Sequence, residues 1–219
     1  MKHFTFSTLL VAALGMCVVQ ASANAPEHVF SVSATEVATL AGGNLQYDGS
    51  SYSFAAKQTN VLGTSNFTSG PRDLFQWSEV VDGSDNPKTF TIGGQTWKLL
   101  TKDQLSYLFN DRPRHNSLYG QGRIEVPNNQ FVNGLILLPD DWQTPSGLAF
   151  DPLWDGSQGY ERNSYSATDW GRMESAGATF LPCGGYGYNE IFADESGTWV
   201  GHGKYCPAAV PNLTEAERK

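Results

Sequence analysis

Apolar and polar residues alternate along much of the chain, in the pattern of strands with one buried face. Between Val29 and Phe54, short β-rich runs are separated by Gly-Gly and Asp-Gly-Ser, which predicts strands joined by tight turns. Phe90 and Ile92 then alternate with threonines ahead of the pair Gly93-Gly94. Two adjacent glycines supply the positive φ values of a two-residue turn, so this segment predicts a β-hairpin.

After this hairpin the apolar residues follow a helical period. Thr101 and Gln104 have the spacing of a capping box, and Asp103 lies near the positive end of the expected helix dipole. The apolar residues that share one helical face are Leu105, Leu108 and Phe109. Because proline disfavours helical geometry in the residue before it, Pro113 limits this helix to residues 101–112.

Three basic residues lie at or just past the end of this helix: Arg112, Arg114 and His115. Cations are favoured there because they complement the negative end of the helix dipole. We therefore expect a solvated basic cluster rather than an anion-binding site.

A short apolar run, Leu135–Leu138, is typical of a strand that is covered on both faces. Two candidate turns precede it, Pro127-Asn128-Asn129 and Asn133-Gly134, and the pattern does not choose between them.

The apolar run ends in Pro139, which is followed by Asp140, Asp141 and Trp142. Proline cannot donate a ladder hydrogen bond, so it marks the end of the strand. Adjacent residues on extended backbone point to opposite faces, so the two carboxylates cannot converge on one proton. We predict a structural corner in which aspartate oxygens accept backbone amide protons and Trp142 folds back over the core. A catalytic acid pair is the competing interpretation.

The segment from Asp140 to Trp170 has several prolines and glycines and no sustained period, which predicts a long irregular loop. A loop of this length in a compact domain is usually functional or packed on itself. Large aromatic residues are usually buried, so we place Trp142 and Trp170 in the core. Flat rings beside planar polar groups suit sugar faces and protein partners. The candidate ligand-binding residues, with their three aromatic rings at the surface, are Trp154, Tyr160, Asn163, Tyr165 and Arg172.

Regular structure is predicted again after this loop, as strands at Ala178–Leu181 and Tyr186–Phe192. Residues 207–219 are polar and contain proline, which predicts a flexible tail. No internal repeat is visible at a fixed period. The sequence as a whole predicts a strand-rich α+β fold with one clear helix.

The first 25 residues have the pattern of a secretory signal peptide. Lys2 and His3 precede an apolar run, and Ala23-Asn24-Ala25 offers a small-x-small cleavage site, as does Ala21-Ser22-Ala23. Cleavage after Ala25 leaves 219 − 25 = 194 residues, which suits one domain over residues 26–206. The protein is then expected outside the cytoplasm, as a secreted, surface or periplasmic protein. A lipoprotein acylated at Cys17 is the competing interpretation.

The charge of the chain argues against a nucleic-acid partner, and its hydropathy argues against a membrane span. The formal net charge is -8 and becomes -9 once Lys2 is removed, so the chain would repel a nucleic-acid backbone. Beyond the leader, no stretch approaches the ~20 apolar residues of a membrane span.

Two cysteines remain after cleavage, Cys183 and Cys206, and an even pair outside the cytoplasm predicts a disulfide. Closing this loop of 206 − 183 = 23 positions contributes roughly 3 kcal/mol in the chain-entropy model. A reactive thiol or copper-binding pair is the alternative.

No metal site or catalytic residue is predicted. The acidic residues Asp151, Asp155 and Glu161 lack the alternating spacing of an EF-hand loop. The sequence also contains no Gly-x-Ser-x-Gly nucleophile elbow and no phosphate-binding glycine loop.

Four blocks of sequence, taken in order, resemble a family of secreted bacterial surface domains. These blocks are FSVSATEVATLAGGNLQY, WKLLTKDQLSYLFNDR, VNGLILLPDDW and AGATFLPCGGYGY, and the match runs from Val29 to Tyr188. The family is grouped with the C-type-lectin-like fold of formylglycine-generating enzymes and of major paralogous domains in bacterial exported proteins. The resemblance implies a C-type-lectin-like fold.

The chain departs from this family at its C-terminal end. The relatives place a small residue at Cys183, and they close with a Tyr-Trp-Ser-rich strand and a further strand that pairs near the N-terminus. Residues 203–206 stand where that signature would begin, so the resemblance implies that the usual closing strands are lacking. A missing closing strand leaves an open sheet edge, which is either covered or recruits a partner strand.

Two activities of proteins with this fold depend on short sequence motifs. Calcium-dependent lectins use a Glu-Pro-Asn or Gln-Pro-Asp loop, and the nearest match is Val126-Pro127-Asn128, with the carboxylate displaced to Glu125. A calcium-sugar site there is the alternative to solvated loop acids. Formylglycine-generating enzymes use a close pair of cysteines, which the sequence lacks.

These features predict an exported, non-enzymatic binding or adhesion module, for a glycan or a surface protein, acting through residues 140–170. The alternative is a structural or accessory subunit of a fimbria-like surface assembly that joins by edge-strand addition. A formylglycine-generating-type oxidase is the third hypothesis. One fold carries many functions, so the fold supports each of these only by analogy.

Overall fold

The computed structural model describes residues 17–20, 28–62, 70–73, 75, 80, 86–152, 159–183, 186–188 and 191–193. These residues form a mixed α+β structure that is rich in strands, as predicted, with two α-helices in place of the one clear helix. The strands are β1 (Cys17–Gln20), β2 (Phe30–Ser31), β3 (Val37–Leu40), β4 (Leu45–Tyr47), β5 (Tyr52–Phe54), β6 (Thr89–Ile92), β7 (Gln95–Leu99), β8 (Tyr119–Val126), β9 (Gln130–Leu137), β10 (Ser164–Tyr165), β11 (Thr179–Pro182), β12 (Tyr186–Tyr188) and β13 (Ile191–Ala193). The α-helices within the described residues are α1 (Lys102–Ser106) and α2 (Ala167–Ser175).

The first sheet has five strands in the order β2-β3-β1-β7-β6, and all neighbouring strands are antiparallel. Strand β1 lies at its centre, with Val18 opposite Leu40 of β3 and opposite Lys98 of β7. This central strand belongs to the segment that the sequence predicts to be a signal peptide. Strands β6 and β7 form the predicted hairpin, in which Gly93 and Gly94 have φ values of 62° and 77°.

The second sheet has the order β10-β8-β9-β11, and the long antiparallel hairpin β8–β9 forms its middle. The turn of this hairpin is Pro127–Asn129, where Asn128 and Asn129 have positive φ values of 70° and 58°. Asparagine tolerates this left-handed backbone better than most residues do. The structure therefore selects one of the two candidate turns, and Asn133-Gly134 lies inside β9.

Two further pairs of strands are antiparallel, β4–β5 and β12–β13. The second pair corrects the single strand predicted at Tyr186–Phe192. The chain reverses between Tyr188 and Ile191, so that these two residues pair with each other.

Helix α1 begins where the capping box predicts. The Thr101 side chain accepts a hydrogen bond from the Gln104 amide at 3.2 Å, and the Gln104 side chain accepts one from the Thr101 amide at 3.0 Å. The helix continues as a π-helical turn over Tyr107–Asp111. Arg112 then has extended backbone, as expected for a residue before Pro113.

Helix α2 corrects the prediction of irregular structure up to Trp170. Its N-cap is Ser166, whose hydroxyl accepts a hydrogen bond from the Asp169 amide at 3.1 Å. Trp170 and Met173, three residues apart, form its buried face. The spacing of Ser166 and Asp169 is the sequence signal for this helix.

Strand β9 is covered on both faces, as the apolar run predicts. Leu135 and Leu137 pack into one core cluster, and Ile136 and Leu138 pack into another. Full burial of one such side chain contributes about 1.5–3 kcal/mol. The first cluster also contains Phe30, Val32, Ala38, Leu100, Leu108 and Leu181. The second also contains Leu118, Ile124, Trp142, Tyr165, Trp170, Met173, Ala178 and Phe180.

Two glycines let other segments approach the β8–β9 hairpin closely. A Cβ atom at Gly134 would lie 2.4 Å from the Phe180 ring and 2.5 Å from the Leu181 carbonyl oxygen. A Cβ atom at Gly122 would lie 2.8 Å from the Asn163 carbonyl oxygen. Any larger residue at these positions would displace its neighbours.

Candidate functional site

The corner after β9 is held by hydrogen bonds to Asp140. One oxygen of this carboxylate, Oδ2, accepts from the Ser31 amide at 2.8 Å and from the Ser31 hydroxyl at 2.6 Å. The other, Oδ1, accepts from the Arg112 guanidinium at 3.1 Å. The Asp140 amide in turn donates to the Val29 carbonyl at 2.9 Å. The carboxylate therefore fastens β2 and the end of the helical segment to the end of β9.

Asp141 points the other way. Its side chain is 57% exposed, and its Oδ2 lies 3.6 Å from Nδ1 of His28. Trp142 folds back into the core, where it is 7% exposed and its indole donates to the Thr144 hydroxyl at 3.1 Å. The predicted fold-back of Trp142 is confirmed. The predicted capping is corrected, because the amide that donates to Asp140 belongs to Ser31 and not to the turn that follows.

Arg112 corrects the expectation of a solvated cation. Its side chain is fully buried, and its guanidinium donates to the carbonyls of Leu138 at 3.1 Å and Leu118 at 3.2 Å as well as to Asp140. The Phe30 ring centroid lies 5.9 Å from the guanidinium carbon. Burial lowers the pKa of Arg112, and the adjacent Asp140 carboxylate opposes that shift. A buried cation of this kind is tolerated because it is paired and hydrogen-bonded.

Within residues 140–152 and 159–170, the described parts of the predicted loop, several side chains are buried in the core. Trp170 is buried, as predicted, at 5.6 Å between its ring centroid and that of Phe180. Tyr165 is also buried, which corrects its predicted surface position. Its hydroxyl donates to the Ala149 carbonyl at 2.5 Å, and burial raises its pKa to about 12. Strand β10 places this ring under the loop, since Tyr165 pairs with Ile124 of β8.

Asn163 is a second brace for this segment. Its side-chain amide donates to the carbonyls of Gln121 and Asp151, each at 2.7 Å, and its side-chain oxygen accepts from the Asp151 amide at 2.8 Å. Only 2% of the residue is exposed. These contacts use the amide to position the loop, so Asn163 supports a surface and does not itself offer a contact to a ligand.

The remaining candidate residues lie in different places. Tyr160 is half-buried, with its hydroxyl 3.6 Å from the Cys183 sulfur. Arg172 is exposed on α2, where its guanidinium donates to the Ser146 carbonyl and lies 3.6 Å from Asp169. Trp154 lies outside the described residues.

An exposed aromatic ring on the β8–β9 hairpin was not among the predicted site residues. Phe131 is 43% exposed, and the Arg123 guanidinium lies 4.4 Å from its ring centroid. The same guanidinium is 3.1 Å from the Glu161 carboxylate and 3.0 Å from the Ser164 hydroxyl. Arg123 thus connects the ring to the predicted loop. We call Arg123, Phe131, Tyr160 and Glu161 the loop face.

The sequence pattern does not determine on which face of β9 the Phe131 ring lies. Phe131 follows the polar turn Pro127–Asn129 by two positions and precedes the buried half of β9, so strand alternation allows either face. The structure shows the ring exposed beside the turn, where Phe131 lies opposite the half-buried Glu125 of β8.

The predicted acidic group gives little support to a metal site. Asp151 pairs with Arg162 at 2.8 Å, Glu161 pairs with Arg123, and Asp155 lies outside the described residues. Within the part of the chain that the structure describes, no three His, Cys, Asp or Glu side chains lie close enough to hold a metal ion. The alternative calcium site at Glu125 stays a prediction.

The predicted disulfide also stays a prediction, because Cys206 lies outside the described residues. Cys183 follows β11 and is half-buried, and its amide donates to the Asn133 carbonyl at 2.8 Å.

Comparison with known proteins gave no relative. No protein-family model matches the sequence, and no curated protein or solved structure is detectably similar to it. Among the described residues, no helix is both long and apolar enough to cross a membrane.

Proposed function

We propose that this chain is an exported, non-enzymatic binding or adhesion module with a C-type-lectin-like fold, which binds a glycan or a surface protein through the loop face. The observation that carries the proposal is the exposed Phe131 ring beside the Arg123 guanidinium. An aromatic ring and a planar cation offer stacking surface and several hydrogen-bond donors in one place. Sugars and protein side chains both use that combination.

The contacts beside the loop face support the proposal. Asn163 and Tyr165 are buried and hydrogen-bond to Asp151 and Ala149, so the described residues next to the loop face are held in place before a ligand arrives. A preorganised surface loses less conformational entropy on binding than a flexible one does. The involvement of Asp140 in fastening β2 and Arg112 favours a structural role for this acid over catalysis.

Binding to glycan arrays and to isolated surface proteins, with and without calcium, tests the proposal. The probe is the mature chain, residues 26–219. We expect a ligand whose affinity falls at least about tenfold in Phe131→Ala, as for an interface hot spot. Arg123→Lys keeps the charge but loses the planar guanidinium, so it should also weaken binding.

Leu62→Ala is the matched control, because Leu62 is 40% exposed and lies outside the loop face. It should bind as the unmodified chain does. Ligands that bind equally to Phe131→Ala and to the unmodified chain would place the binding site elsewhere. Silent arrays and protein screens would contradict the binding function itself.

A structural or accessory subunit of a surface assembly is the second candidate function. It is favoured by one specific observation: the central strand of the first sheet, β1, comes from the predicted leader. Removal of that leader would leave a sheet that needs a partner strand.

A further inference from the structure

Strand β1 is the link between two halves of the first sheet. It pairs with β3 through Val18–Leu40, Val19–Thr39 and Gln20–Ala38, and with β7 through Cys17–Leu99 and Val18–Lys98. In the strand order β2-β3-β1-β7-β6, β3 and β7 are not neighbours. The sheet is therefore continuous only while a strand lies between them.

Cleavage after Ala25 would remove this strand from the mature chain. The gap between β3 and β7 would then be two inter-strand spacings wide, about 9–10 Å. Both strands would expose unpaired amide and carbonyl groups to the gap. The sheet could not simply be solvated there, because Ala38 and Leu99, which flank the gap, belong to the buried core. We call Val37–Leu40 and Gln95–Leu99 the strand slot.

We propose that the strand slot of the mature chain accepts an extended strand from a second exported polypeptide. The proposal rests on the second candidate function, because removal of the leader opens the slot. Pairing on both sides, with three residue pairs to β3 and two to β7 as in β1, distinguishes this from simple addition at a sheet edge. The donor completes the first sheet and joins the two polypeptides.

The geometry of β1 defines the donor. It must run antiparallel to both β3 and β7, as β1 does, over at least the four residues of Cys17–Gln20. It cannot contain proline within these residues, because each amide is needed in one of the two ladders. The mature chain carries a formal charge of -9, that is, -8 with Lys2 removed, so a neutral or basic donor is favoured.

A peptide of residues 14–22, carrying Cys17→Ser to prevent disulfide formation, serves as the donor probe. Its binding to the mature chain, residues 26–219, is followed by fluorescence anisotropy. We expect saturable binding, and binding at least tenfold weaker for the same peptide with Val19→Pro. The full chain with residues 1–25 retained is the matched control, because its slot is already filled and it should not bind the peptide. Hydrogen exchange should show new protection in residues 38–40 and 98–99, which pair with β1.

Four results of these binding experiments would overturn the proposal. These are equal binding of the proline peptide, equal binding to the uncleaved chain, protection outside the slot, and peptide binding that appears only after residues 194–219 are deleted. The last result would mean that the chain fills its own slot. An intact mass showing that the exported protein keeps Cys17–Gln20, as a lipoprotein acylated at Cys17 would, overturns it as well.

This experiment is independent of the loop face. Phe131→Ala should bind the peptide normally even though it fails to bind a glycan or surface protein. Failure of the slot therefore leaves loop-face binding intact, and failure of the loop face leaves the slot intact.

Discussion

Neutralising Asp140 should destabilise the fold far more than neutralising its neighbour Asp141. In Asp140→Ala, the fully buried Arg112 guanidinium loses its carboxylate partner, and both donors of Ser31 lose their acceptor. Breaking a buried ion pair costs about 3–5 kcal/mol, and we take about 2–4 kcal/mol here because water reaches the 27% of the Asp140 side chain that is exposed. Asp141→Ala should change the stability by less than about 0.5 kcal/mol, since its side chain is mostly exposed.

Urea denaturation at neutral pH measures both variants, and thermal melting gives a second readout. For a domain of this size, 1 kcal/mol shifts the Tm by about 2–4 °C, so Asp140→Ala should lower it by about 4–16 °C. The double variant Arg112→Met with Asp140→Ala should recover part of the loss, because the unpaired charge is gone. Equal stability of the Asp140 and Asp141 variants would refute the structural role of the Arg112–Asp140 ion pair. So would a loss in the double variant equal to the sum of the losses in Asp140→Ala and Arg112→Met.

Three further predictions follow from the packing and ionisation of named residues. Gly134→Ala should destabilise the fold by about 1–3 kcal/mol, because its Cβ atom would meet Phe180 and the Leu181 backbone. Gly171→Ala should stabilise the fold by about 0.5–1 kcal/mol, because that helical position is open. Urea denaturation that ranks the two variants in the reverse order would contradict the close packing of β11 against β9 at Gly134. Asn163→Ala should cost about 2–4 kcal/mol in the same assay because it removes three part-buried hydrogen bonds to the backbone of Gln121 and Asp151. Asn133→Ala, at an exposed position, should change little, and similar losses in both would argue against the brace. Burial raises the pKa of Tyr165 from 10.0 to about 12, so this phenol ionises at lower pH in the unfolded chain than in the folded one. The contribution of the neutral phenol to stability is therefore present below pH 10 and is lost as the pH rises towards 12. Tyr165→Phe should therefore lose less stability over this alkaline range, and parallel losses in the two proteins would show that the phenol is not protected.

The elements with strong local signals follow the sequence closely. The Gly93-Gly94 hairpin, the Thr101 capping box and the two-faced burial of Leu135–Leu138 each depend on neighbours a few residues apart. Turn chemistry, capping and apolar pattern are local, so they can be predicted before the fold is known.

The sequence failed where a residue's environment comes from distant segments. Arg112 has the pattern of a solvated helix end, yet the carbonyls and carboxylate that bury it come from Leu118, Leu138 and Asp140. Tyr165 and Asn163 lie in a segment without period, and they are buried because β10 pairs with β8. Helix propensity and dipole arguments do not contain this tertiary information.

The candidate site was predicted only in part, because its residues also come from segments that are distant in the sequence. Tyr160 was predicted at the surface and is half-buried. The neighbourhood of Phe131, Arg123 and Glu161 was not predicted, because it depends on the register of two strands with the loop. A one-residue shift of β9 would move the Phe131 ring to the other face. The pattern did not determine this register, because the two candidate turns left it open.

The bonds between Ser31 and Asp140 also have a consequence for how the chain reaches its native state. They join residues 109 positions apart, and the hydrogen bond from the Phe180 amide to Gln58 spans 122 positions. Contacts so remote in sequence raise the contact order, which places folding in the slow, millisecond-to-second regime of strand-rich domains. In a chain translocated from its N-terminus, Ser31 and Gln58 would emerge well before their partners Asp140 and Phe180. The unpaired strands would be exposed during this interval, and chaperone binding would protect them most at that stage.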